Sequence, residues 1–332
     1  MKAIFFQHGG SIDVLQYGDL PFAGQCEDHQ VLVRIKAAGI NPIDYKIRSA
    51  PDRFPVTFPV IPGCDGAGIV ETVGRQVRNC KPGDEVYFSQ PGFNNRQGTY
   101  AEYVLVDAHL VAMKPASLTF EQAAAVPLVA ITAWEALHDR ARLSSGQTVL
   151  IHAGAGGIGH IAIQLAKRAG AIVATTVSND EKADFVERLG ADKIINYRTQ
   201  DVVDEIMQWT NGQGVDTVFD TVGGSVLQEC FRYVKCYGDV ITILQPSADF
   251  NWSEARLRNI RFSFELMLTP VLLELEDAKS HQADILRQCA TLFDDDQLSI
   301  QVARVFDLAE AASAQHYLEQ NHPLGKLVLT LL

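Results

Sequence analysis

Along the first third of the chain, apolar residues recur at every second position. Val31, Val33, Ile35 and Ala37 alternate with Leu32, Arg34 and Lys36, which predicts a half-buried strand. Turn residues then follow at short intervals: Asn41-Pro42, Ile61-Pro62-Gly63, Lys81-Pro82-Gly83-Asp84 and Gln90-Pro91-Gly92. Short apolar runs lie between them, at Gly68–Val73 and Tyr100–Val106. Many short strands with frequent turns predict a barrel-like β domain.

Near Ser117 the pattern changes. Thr119-Phe120-Glu121-Gln122 has capping-box spacing, so Thr119 is expected to cap a helix entering Ala123-Ala124-Ala125. From Gln147 onward strands and helices alternate. The apolar run Thr148–Ile151 precedes a helix with Ile158, Ile161, Ala162 and Leu165 on one face, closed by Gly170. A strand over Ala171–Val177 and a helix over Glu181–Leu189, closed by Gly190, come next. Thr217–Phe219 and Val240–Leu244 read as further strands, Asn259–Phe264 as an edge strand, and Leu327–Leu329 as a last one. Such alternation predicts a doubly wound parallel sheet.

Composition narrows the function class. The 332 residues carry a net charge of −12, which argues against nucleic-acid or anionic-membrane partners. No apolar stretch is long enough for a spanning helix, and the start reaches Gln7-His8 too soon for a signal-peptide core. Six cysteines are scattered without a C-x-x-C pair, the pattern of reduced thiols in a cytoplasmic protein.

The sharpest local signal is Gly154-Ala155-Gly156-Gly157-Ile158-Gly159, a G-x-G-x-x-G run between an apolar strand and an amphipathic helix. That context is the dinucleotide fingerprint: glycines let the backbone approach a pyrophosphate, and the helix N-terminus favours negative charge. NAD binders usually place an acid about twenty residues further on. Here that count lands on Ser178-Asn179, with Lys182 one helical turn later. A hydroxyl and a lysine suit a 2′-phosphate, hence NADPH. Asp180 and Glu181 keep NAD open as the lesser alternative.

Longer matches extend the reading. Ala38–Asp44, Pro62–Gly68, Pro82–Val86, Gly98–Tyr103, Thr132-Ala133-Trp134, the glycine run, Asp220–Gly224 and Gly325–Leu329 together resemble the medium-chain dehydrogenase/reductase superfamily, in its zinc-free quinone oxidoreductase (zeta-crystallin-like) branch. The resemblance implies an α/β protein with a GroES-like β-barrel catalytic domain, residues 1–124 and 269–332. A Rossmann domain over residues 125–268 would bind NADP, with an active cleft at the junction. It also implies that Lys182 and Tyr197 hold the 2′-phosphate and that Lys326 is a further basic cofactor contact. Thr132 would lie near the nicotinamide or phosphates, and Val222 and Leu244 beside the nicotinamide. Homodimerisation through the edge strand is expected.

Departures from zinc-dependent relatives bear on the chemistry. Those relatives place a cysteine ligand where this chain has Asn41, and a histidine where it has Cys64; residues 88–100 contain no cysteine for a structural-zinc lobe. One thiol cannot complete a tetrahedral zinc site, so no metal is expected. Without a Lewis acid, hydride delivery to a quinone or other conjugated carbonyl is favoured over alcohol oxidation. Asn41 is a candidate donor to the developing oxyanion, or simply a turn residue with Asp44 capping the next helix. Tyr45 is a candidate proton donor. Cys64 and His152 read as packed core residues. Competing functions are a 2-alkenal, enone or enoyl-thioester reductase and, outside catalysis, an NADPH-binding sensor or crystallin-type structural protein.

Overall fold

The computed structural model describes residues 1–22 and 24–331. The chain forms two compact units, Met1–Ile131 with Leu268–Leu332, and Thr132–Met267. Residues 125–131 belong with the first unit, where the Leu128 amide donates to Asp65 Oδ1 at 3.0 Å.

The first unit opens with β1 (Lys2–Phe5) and β2 (Gln16–Asp19), an antiparallel pair. Then come β3 (Gln30–Ile40), β4 (Asp65–Val73), β5 (Glu85–Ser89), β6 (Tyr103–Asp107) and β7 (Ala112–Met113). β3 buries Val31, Val33, Ile35 and Ala37 and leaves Leu32, Arg34 and Lys36 half-buried, as period-two alternation requires. Past Ala37 every residue is buried, because the strand's far end is covered on both faces. A helix over Pro42–Ser49 follows immediately. Thr119 caps the helix Phe120–Ala124 through the expected reciprocal box with Gln122.

The second unit holds β8 (Thr148–Ile151), β9 (Ile172–Val177), β10 (Lys193–Asn196), β11 (Val215–Asp220), β12 (Val234–Thr242) and β13 (Arg261–Phe264). Every pairing is parallel, in the order β10-β9-β8-β11-β12-β13. This is the Rossmann order, whose direction reverses between β8 and β11 and so opens a crevice at the strands' C-terminal ends. The helices Gly159–Arg168, Asp180–Arg188 and Gly224–Tyr233 connect the strands. β12 starts and ends earlier than the sequence predicts, and β13 is an edge strand.

The chain then returns to the first unit through a helix at Glu276–Asp294, β14 (Val302–Asp307), a helix at Ala311–Gln320 and β15 (Lys326–Thr330). That unit's larger sheet runs β14-β15-β3-β4-β5-β7 as an open path, with β6 also pairing β3. β15 pairs β3 antiparallel, bringing Leu327 opposite Ile40. Among the described residues no helix is long and apolar enough to cross a membrane.

Candidate active site

In the second unit the glycine loop joins β8 to the helix Gly159–Arg168. Ala153 takes a left-handed backbone (φ +52°) as the chain leaves the strand. A Cβ on Gly154 would drive into Thr175 Oγ1 and Ile163, and one on Gly159 into the backbone of Ala153 and Gly154. Gly156 is less confined: its nearest neighbour would be Ala153 O at 3.2 Å. The first and last glycines are therefore fixed by packing, while the middle one leaves the backbone approachable. No side chain caps the helix, so its N-terminal dipole remains for an anion. These features fit a dinucleotide pyrophosphate.

Further along the same sheet edge, Val177 of β9 pairs with Asn196 of β10. The two residues that follow them, Ser178 and Tyr197, therefore leave the sheet side by side. The Tyr197 amide donates to Val177 O at 3.1 Å, and its ring is 51% exposed. Asn179 caps the next helix by accepting from the Lys182 amide at 3.0 Å, so the cap falls one residue after Ser178. Lys182 is half-buried in that helix's first turn, and Asp180 and Glu181 are exposed there. On the other side of the crevice the Asp220 carboxylate accepts from the amides of Val222 (3.0 Å) and Gly223 (2.9 Å) and from Thr242 Oγ1 (2.7 Å). This holds the turn carrying Val222 against Leu244, whose side chain a Cβ on Gly223 would strike. Thr132 is buried near the end of the helix Pro127–Trp134.

His152 is a core residue. It is buried between Thr176 Oγ1 (3.3 Å) and Tyr233 OH (2.8 Å), and burial lowers its pKa to about 4.

In the first unit, Asn41 stands between β3 and the helix Pro42–Ser49 and is 1% exposed. Its backbone amide donates to Asp44 Oδ2 at 2.8 Å, which also accepts from Tyr100 OH at 2.8 Å. Its side-chain amide donates to Asp65 Oδ2 at 2.8 Å, and its side-chain oxygen accepts from the Lys326 ammonium. Lys326 also donates to Ile40 O at 2.9 Å. Burial raises the Asp44 pKa to about 7 and, despite Lys326, raises that of Asp65. Burial lowers the Lys326 pKa against the pull of Asp65 and Asp44. Cys64, fully buried beside these carboxylates, is pushed well above its ordinary value. Tyr45 is half-buried, its phenol raised first by burial and then by Glu319.

Two residues expected to face substrate or cofactor have partners inside the fold. The Asn41 side chain is occupied at both ends inside the fold, because its neighbours are buried charges that need partners. The Lys326 nitrogen is likewise turned inward rather than presented to a cofactor phosphate.

Family comparison agrees with this architecture. A pattern described as an alcohol dehydrogenase GroES-like domain matches residues 27–116, and one described as a zinc-binding dehydrogenase matches residues 189–329. An NADPH-dependent alkenal/one oxidoreductase, chloroplastic, of Arabidopsis thaliana is 31% identical over 99% of this chain and 79% of its own length. The chain belongs to the medium-chain dehydrogenase/reductase superfamily, in its quinone oxidoreductase branch. The superfamily makes it an oxidoreductase that works with a nicotinamide cofactor. A 2-methylene-furan-3-one reductase of Solanum lycopersicum is 38% identical over 73% of this chain, which spans 62% of that relative. The crystal structure of Escherichia coli quinone oxidoreductase complexed with NADPH superposes with a TM-score of 0.89 at 27% identity, covering 100% of both chains.

The superfamily includes zinc enzymes, and the residues present do not fit that ion. At the two positions read as lost zinc ligands, the Asn41 oxygen accepts from an ammonium, and Cys64 is the one thiol present there. Among the described residues no group of three or more His, Cys, Asp or Glu side chains could hold a metal. Asp65, Lys326 and Tyr100 complete this corner. Their proximity to Asn41 was not evident from spacing, since they come from strands and loops far apart in the chain.

Proposed function

We propose that the protein is an NADPH-dependent, zinc-independent reductase that delivers hydride to a quinone or another conjugated carbonyl. The single observation that carries the NADPH preference is the paired ends of β9 and β10: Ser178 and Tyr197 emerge together, with Lys182 in the next helical turn. A hydroxyl, a phenol and an ammonium are partners for a phosphate, whereas an NAD ribose calls for a carboxylate.

In this reading the backbone of Gly154–Ile158 receives the pyrophosphate, Lys182, Ser178 and Tyr197 hold the 2′-phosphate, and Thr132, Val222 and Leu244 confine the nicotinamide. When bound, the cofactor supplies a hydride. The acceptor oxygen then needs a proton rather than a Lewis acid. Tyr45, a half-buried phenol and so an O–H donor, is the proposed proton source, and Asn41 positions the segment that carries it. We further propose a cytoplasmic homodimer paired through β13, to be checked by light scattering and by Pro substitution at Ser263.

A 2-alkenal or enone reductase is the second reading, favoured by the named activities of the tomato and Arabidopsis relatives. Steady-state kinetics with NADPH and NADH, over a panel of quinones and enones, tests both. Higher kcat/KM with NADPH, lost in Lys182→Ala, is expected. Equal use of NADH by the native protein overturns the phosphate assignment, and a saturated C–C bond in the product selects the enone reading.

A further inference from the structure

The corner around Asn41 contains more negative potential than a protein interior tolerates unaided. Asp44 and Asp65 are both fully buried, and the Cys64 thiol lies beside them. Asp44 Oδ1 has no hydrogen-bond donor among the described residues apart from that weakly donating thiol. A carboxylate removed from water needs a counter-charge or a proton. We infer that the Lys326 ammonium is the resident cation of this corner, doing for Asp65, Asp44 and Asn41 the electrostatic work that zinc relatives assign to a metal. The inference deepens the zinc-independent reading above and rests on it.

The geometry supports this in three ways. First, Lys326 is delivered by the fold. Gly325 takes a left-handed turn (φ +88°) directly before β15, and the β15–β3 pairing then sets Lys326 beside Ile40 and Asn41. Second, two of its three N–H groups are used on Ile40 O and Asn41 Oδ1. Because Asn41 Oδ1 receives the ammonium, its amide nitrogen must face Asp65. One cation therefore fixes the orientation of the residue that joins β3 to the next helix. Third, the Asp65 and Asp44 carboxyls both favour the charged ammonium against its burial, and Asn41 bridges Lys326 to Asp65. An ammonium donates hydrogen bonds but has no empty orbital to act as a Lewis acid, and Lys326 is buried, so this corner positions residues and leaves polarisation of the acceptor to others.

The test combines Lys326→Met, Asp65→Asn, the double variant, and Lys326→Met with Cys64→Ser. Lys326→Met is expected to lower the thermal midpoint by roughly 10 °C, because it leaves a buried carboxylate unpaired. The double variant is expected to lose less than the sum of the single losses. With the ammonium gone, Lys326→Met should take up one Cd2+ per chain with ultraviolet cadmium–thiolate absorption. In a background with the accessible Cys26, Cys80 and Cys236 replaced by Ser, the protein that keeps Lys326 should take up none, and the Cys64→Ser combination should abolish the signal. If Lys326→Met does not fold, Asp65→Asn compared with the double variant still reads the coupling. Strictly additive losses, or cadmium–thiolate absorption in that Ser background with Lys326 intact, would overturn the inference. Stoichiometric zinc in the purified native enzyme would instead sink the zinc-independent reading itself, so the two failures are distinguishable.

Discussion

The cofactor edge of the second unit and the Asn41 corner of the first are built on opposite principles. The edge works through backbone. Glycines, strand ends and a helix N-terminus present amides, and the side chains that complete it are half-exposed. The corner works through side chains, all buried, whose charges and donors largely satisfy one another, Asp44 Oδ1 excepted. A backbone site fails when a side chain intrudes and otherwise tolerates change. A buried polar corner fails when any member is neutralised, because its partners are left desolvated.

The largest expected effect breaks the edge. Gly154→Val places side-chain atoms into Thr175 and Ile163, where no room exists. NADPH affinity should fall at least ~100-fold, about 2.7 kcal/mol. Fluorescence titration measures it, with circular dichroism confirming the fold. Undiminished binding would show that the loop is not the phosphate cradle.

The corner should respond to pH instead. Folding raises the Asp44 pKa from the ordinary carboxylate range to about 7, so the folded protein holds a proton that the unfolded chain releases. Stability should therefore be greatest below the unfolded value and decline by a few kcal/mol as pH rises from about 4 to about 7. Buried Asp65 tilts the curve the same way, while Lys326 opposes it only by pairing with the ionised forms. Asp44→Asn keeps an oxygen to accept from Asn41 N and Tyr100 OH but has no proton to lose, so its curve should be flatter. Urea midpoints across that window test this, and parallel curves would exclude Asp44 as the titrating group.

What the sequence revealed follows the same division. The glycine run, the capping box at Thr119 and the alternation in β3 are local patterns with local causes, and each element formed where the pattern lay. Ser178 and Lys182 could be grouped because each lies a short count after a recognisable strand, whereas Tyr197 joined them only through the family resemblance. The roles of Asn41 and Lys326 could not be read in this way, since Asn41, Asp65 and Lys326 come from separate segments and meet through the β15–β3–β4 pairings, with Tyr100 brought in by a loop bonded to Ile4 and Pro62. Periodicity shows which residues are buried but carries no information on which buried charge answers which.

A smaller effect sharpens the edge. Lys182→Ala should raise the KM for NADPH by roughly 10- to 100-fold, the range of one charge-assisted contact, and leave NADH kinetics unchanged. Tyr197→Phe should cost less, since it removes one neutral donor. A loss shared equally by both cofactors would mean that Lys182 supports the helix rather than the phosphate.

The smallest effect separates the corner from an ion-pair cluster in the same unit. Glu274 accepts from Arg96 (2.5 and 2.9 Å), Lys279 (2.7 Å) and Asn94 (3.1 Å), and these partners, Arg96 first, pull its pKa down to about 2. A carboxylate lowered in this way stabilises the fold above its unfolded value and loses that contribution as pH falls from about 4.5 toward 2. Glu274 is half-exposed, so solvent screening holds the effect of Glu274→Gln at neutral pH to about 1 kcal/mol. Native and variant stabilities should converge in acid, the direction in which the Asp44 corner grows stronger. A Glu274→Gln deficit that persisted undiminished at the acid end would assign the loss to packing rather than charge, and the opposed slopes of the two clusters would no longer be distinguishable.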